Sequence, residues 1–128
     1  MNPVLEKLLM KVQKPGRYVG GEQNSIVKDK NKIKTRFAFC FPDTYEIGMS
    51  HLGMKILYGL LNEREDIWCE RVFAPWVDME ALMRENHVLL YGLESGDPIC
   101  DFDFVGFTLQ YELSFTNVLN MLELGGVP

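Results

Sequence analysis

The side chains best suited to chemistry gather in two short stretches. Residues 42–51 run Pro-Asp-Thr-Tyr-Glu-Ile-Gly-Met-Ser-His and offer Asp43, Glu46, Ser50 and His51. Gly48 in the same stretch would let backbone approach a ligand or a neighbouring strand closely. Residues 110–114 offer Gln110, Tyr111, Glu112 and Ser114. Both stretches lead into a helix amino terminus, where unpaired N–H groups favour anionic or hydrogen-bonding ligands, so all nine residues are candidates for cofactor binding. Each has a plainer role as well. Ser50 and Ser114 can be helix caps, His51 a cap or surface histidine, and Asp43 a turn residue bonded to its own backbone. Glu46 and Glu112 are the carboxylates least explained by stability. Trp76, beside Pro75, can serve as a packed lid or as a ligand platform.

Other chemistries lack their residues. No Gly-x-Gly-x-x-Gly follows the first apolar run, and no Gly-x-x-x-x-Gly-Lys-Ser/Thr occurs, which argues against dinucleotide and P-loop sites. His51 and His87 are far apart and have no cysteines at ligand spacing, so no metal site is expected. No serine nucleophile elbow is visible. Cys40, Cys69 and Cys100 are odd in number and widely spaced, which suits reduced thiols in a cytoplasmic protein better than a disulfide frame. No catalytic residue is assigned to this chain.

The elements that must position the two stretches follow from apolar periodicity. Pro3 opens a helix capped by Asn2, with Leu5, Leu8, Leu9 and Val12 on one face, Lys11 and Lys14 at its end, and Pro15-Gly16 as the stop. A glycine-rich connecting arm follows. From Arg36 the pattern changes: Phe37–Phe41 is a continuous apolar run, as expected of a strand, over 36–41, buried on both faces. Ser50 then caps a helix near 51–62 with Leu52, Ile56, Leu57 and Leu60 inward. Ile67–Phe73 is a second strand, and Asp78 caps a short helix with Met79, Leu82 and Met83 inward. Val88–Tyr91 is a short apolar segment and residues 94–98 a turn. Residues 104–109 form another strand, and Ser114 caps a helix over 115–124 with Phe115, Val118, Leu119 and Leu122 inward. Strand and helix alternate, which predicts an incomplete flavodoxin-like or Rossmann-like α/β fold. Its sheet is parallel, has three to four strands, and places the second strand beside the first and the first beside the third. In that order the carboxyl ends of the first and last strands leave a crevice, and both chemical stretches face it.

Charge divides the chain. Residues 1–36 hold nine Lys or Arg against three acids, and residues 37–128 hold four against fifteen. The division predicts an amino-terminal helix and basic arm over 1–35 lying against an acidic α/β domain over 36–128. The arm's bases are mostly Lys without aromatic interleaving, which argues against nucleic acid as its partner. No apolar run is long enough to span a bilayer.

The strings PGRYVGGEQNS (15–25), FPDTYEIGMSHLG (41–53), ERVFAPWVDME (70–80) and DFDFVGFTLQYELSFTNVLNML (101–122) resemble one family. It comprises radical S-adenosylmethionine (radical SAM) proteins that carry a cobalamin-binding-like domain ahead of a catalytic barrel. The resemblance implies that this chain is the amino-terminal module of an iron–sulfur enzyme, truncated at its carboxyl end, with cobalamin as a possible cofactor. The 4Fe–4S cluster and S-adenosylmethionine would belong to the barrel, since the Cys-x-x-x-Cys-x-x-Cys triplet is absent here. The chain also departs from the Asp-x-His-x-x-Gly pattern of histidine-ligated cobalamin domains, with Met49 and Met54 at the Asp and Gly positions. The alternative is a scaffold that kept the fold and lost the cofactor. The expected partners are the parent's own carboxyl-terminal catalytic domain and, for this chain alone, a second copy covering an exposed sheet edge.

Overall fold

The computed structural model describes residues 3–110 and 112–128; Asn2, expected to cap the first helix, and Tyr111 of the second chemical stretch lie outside the described residues. The run 37–41 lies at the centre of a three-stranded sheet, as strand β1 (Thr35–Phe41), flanked by β2 (Ile67–Phe73) and β3 (Phe104–Phe107). The order is β2-β1-β3 and both pairings are parallel. This is the strand order read from the sequence, in an incomplete Rossmann-like α/β fold. Register aligns Phe37 with Cys69 on one side and Phe104 on the other. Buried Ala38, Cys40, Cys69 and Val72 show why β1 and β2 read as nearly unbroken apolar runs: both faces of the sheet are covered there.

The helices are α1 (Pro3–Leu9), α2 (Tyr45–Met49), α3 (Leu52–Asn62), α4 (Val77–Asn86) and α5 (Ser114–Leu124). α2 falls inside the stretch 42–51, which the sequence reads as a loop, and α1, α4 and α5 depart from expectation in start or length. α1 stops at Leu9, well short of Pro15, and the Gln13 N–H is taken by Asp78 Oδ2 at 3.0 Å. Asp78 is therefore a tie to the arm rather than the cap of α4, whose cap position is Trp76. Val12 is still buried, and Leu5, Leu8, Val12 and Tyr18 join the same core as the strands. α5 begins at Ser114 itself, with Leu113 at the cap position and no side-chain cap bond.

The larger departure is rotational. On α3 the residues expected inward, Leu52, Ile56, Leu57 and Leu60, are exposed, while Met54, Tyr58 and Asn62 are buried. Polar anchors set this rotation. Asn62 Nδ2 donates to the carbonyls of Tyr58 and Cys69, and its Oδ1 accepts from the Cys69 N–H, fastening the end of α3 to β2. Tyr58 OH accepts from the Ile26 N–H and donates to Glu94 Oε1. These anchors hold the Met54–Tyr58–Asn62 face of α3 against the sheet and leave the leucine stripe outward. On α5, Met121 and Leu124 point inward, Val118 and Leu122 are half-buried, and Phe115 and Leu119 face out.

Candidate functional site

Because β1 and β3 are parallel neighbours, the stretches that follow them leave the sheet at the same end. Two bonds hold this end together: Thr108 N–H donates to Cys40 O at 3.3 Å, and Asn117 Nδ2 of α5 donates to Pro42 O at 2.9 Å. Asp43 Oδ1 accepts from Thr44 N–H at 2.7 Å, and Asp43 O accepts from Ala74 N–H at 2.9 Å, joining the ends of β1 and β2.

The remaining residues of the first stretch are engaged locally. Glu46 is paired with Arg17 at 2.7 Å, and the hydrogen bond from that guanidinium holds its carboxyl below the ordinary range. Arg17 also lies over the Trp76 ring, 5.7 Å from its centroid. Ser50 Oγ donates to Glu46 O at 2.8 Å and does not cap α3. His51 takes that role: its Nδ1 accepts from Met54 N–H at 3.1 Å while its ring packs on Phe41 at 5.1 Å. An imidazole whose Nδ1 accepts carries its proton on Nε2, so Nε2 is a donor and not a lone pair ready for a metal. Gly48 serves close packing, since a Cβ there would stand 2.0 Å from the Phe73 ring.

In the second stretch Gln110 and Glu112 are exposed and Ser114 is buried. Among the described residues no hydrogen bond links Glu46 or His51 to Gln110 or Glu112. The stretches share one end of the sheet, with Glu46 drawn toward the arm.

Two buried ionic clusters went unread in the sequence, although Arg36 and the pair Glu70-Arg71 were visible as charges inside apolar strand runs. Arg71 Nε donates to Glu94 Oε1 at 2.8 Å, and Arg71 N–H donates to Glu94 Oε2 at 2.9 Å. Arg71 Nη2 reaches Ser25 Oγ at 3.0 Å and Glu22 Oε2 at 3.3 Å, with Tyr58 stacked beneath the guanidinium. Burial pushes the Glu94 carboxyl up, against the pull of Arg71 and Tyr58. On the opposite face Arg36 pairs with Glu70 and, at 2.8 Å, with Asp97, and lies over the Phe102 ring. Alternation along the strands puts the clusters on different faces. The segment 94–97 grips both, with Glu94 on one side and Ser95 and Asp97 on the other.

Among the described residues no group of three or more His, Cys, Asp or Glu side chains is placed to hold a metal ion. None of their helices is long and apolar enough to cross a membrane. A family model described as "Radical SAM proteins, N-terminal" matches residues 53–128, a span that includes the second chemical stretch and follows the first. No curated protein and no solved structure matches the chain.

Proposed function

The chain belongs to the family of amino-terminal domains of radical SAM proteins, and from that membership we propose that it is a docking module, seating the catalytic domain against its β3 side. The family implies a catalytic part that carries a 4Fe–4S cluster and S-adenosylmethionine, and it is this part that the module would position.

The observation that carries the reading is apolar surface where the sheet ends. β3 is an edge strand, and Phe104 on it is 58% exposed. Leu113 just ahead of α5 and Phe115 and Leu119 of α5 are exposed too, while Leu57 and Leu60 are exposed on α3, which packs against β2 at the other side of the sheet. Exposed apolar side chains beside an open strand edge are a liability unless another domain covers them. The first and second chemical stretches leave the same end of the sheet, so Gln110 and Glu112 would stand at the rim of that interface. There they would meet the catalytic domain or the substrate it holds, together with Asp43, Glu46 and His51.

The residues do not fit a histidine-ligated cobalamin. His51 Nδ1 is engaged by Met54 N–H, and Met49 and Met54 occupy the positions where that motif has Asp and Gly. No step is assigned to that cofactor.

Leu113→Glu and Leu119→Glu in the full-length protein test the docking. Both sites are exposed, so the fold should be nearly unaffected, within about 0.5 kcal/mol. Hydrogen exchange at β3 and α5 should rise as the catalytic domain is released. Unchanged protection in both variants would refute the docking surface.

A further inference from the structure

A cavity of about 340 Å³ lies between the arm at residues 22–26, the α2–α3 corner and β2, and Gly48 and Met49 of the first chemical stretch border it. Ile26, Met49, Met54, Tyr58 and Gly59 form its apolar wall, and Arg71, Glu22 and Lys55 are its charged members. The volume is near the lower end of the range that holds small molecules.

Arg71 is the informative member. Its side chain is only 6% exposed. Its Nε and Nη2 donate to oxygens of Glu94, Ser25 and Glu22, but Nη1 has only the Met49 sulfur at 3.4 Å. A thioether is a weak acceptor, and a buried guanidinium N–H without an oxygen partner is uncommon. Met49 and Arg71 both line the cavity, so this under-used donor borders open space rather than packed protein.

Charge selects the ligand class. Two carboxylates, Glu22 and Glu94, already oppose the Arg71 guanidinium, and the other cation bordering the cavity, Lys55, is exposed to solvent, so a ligand carboxylate would bring a third anion to Arg71. A neutral acceptor has no such penalty. We propose that this cavity binds a small, mostly apolar, uncharged molecule whose carbonyl oxygen accepts a hydrogen bond from Arg71 Nη1, with the methionine side chains adapting to its shape.

Three probes of similar size separate the alternatives: acetophenone, ethylbenzene without the acceptor, and benzoate with a charge. With the protein labelled at methionine methyls, acetophenone should shift the Met49 and Met54 signals saturably, with several-fold higher affinity than either other probe. Gly59→Leu should abolish the shift by filling the cavity, since nothing lies within 4 Å of a Cβ at that position. Gly59→Ala, a smaller change, should weaken binding and covers the case in which the leucine variant does not fold. The proposal is overturned if neither methionine shifts saturably, if benzoate binds as tightly as acetophenone, or if the Gly59 variants bind acetophenone unchanged.

Discussion

Arg71 and Glu94 form a pair in which each residue makes the other tolerable. The Glu94 side chain is 0% exposed, and without the guanidinium it would be an unpaired buried carboxylate. Arg71→Met should therefore cost about 3–5 kcal/mol in urea denaturation, while Arg71→Met with Glu94→Leu should recover much of the loss. A single variant as stable as the parent would show that Glu94 is already protonated. Glu22 bears on pH. Burial works to raise its carboxyl, but hydrogen bonds from its own backbone N–H, Tyr45 and Ser25 hold it below the ordinary 4.5. A lowered folded value means that its contribution is complete above 4.5 and is lost as pH falls through the folded value. Glu22→Gln should flatten the fall of stability as pH drops below 4.5. Glu94, shifted upward, works in the opposite direction, so Glu94→Gln should not flatten it.

At the scale of elements, two glycines in neighbouring helices should respond oppositely to the same change. Gly48→Ala places a methyl group in the Phe73 ring, which belongs to a packed strand, and should destabilise by about 1–3 kcal/mol. Gly59→Ala meets no atom within 4 Å and should stabilise α3 by up to about 1 kcal/mol through helix propensity. Thermal unfolding of the two variants side by side checks the α2–β2 contact. A neutral Gly48→Ala would mean that α2 can lift away from Phe73. The bounds of α3, α4 and α5 were close to legible, since apolar period and breakers are local, whereas α1 is shorter than its apolar period and α2 was not read as a helix. Helix rotation was not: Asn62 and Tyr58 look like ordinary polar residues until Cys69, Ile26 and Glu94 are brought to them.

Across the whole molecule, the uncovered side of β3 and the outward flank of α5 make one expectation concrete. This chain expressed alone should self-associate, burying Phe104, Leu119 and their neighbours against a second copy. Sedimentation should show a concentration-dependent dimer or larger species, and Leu113→Glu with Leu119→Glu should return it to monomer. A strictly monomeric chain at high concentration would count against both this and the docking face.

What the sequence alone determined is what repeats locally. A continuous apolar run marked β1, a mostly apolar run marked β2, turn residues bounded them, and the alternation of strand and helix pointed to parallel crossovers. Together these left few topologies, of which the order β2-β1-β3 was the simplest. The tertiary structure decided which groups meet. His51 rather than Ser50 caps α3 because only the histidine ring reaches Met54 N–H while resting on Phe41. Glu46 turns to Arg17, 29 residues before it, and Arg71 collects Glu22 from 49 residues away. Such pairings leave no periodic trace in the chain. Their energies depend on burial and distance, and both exist only once the arm has closed over the sheet.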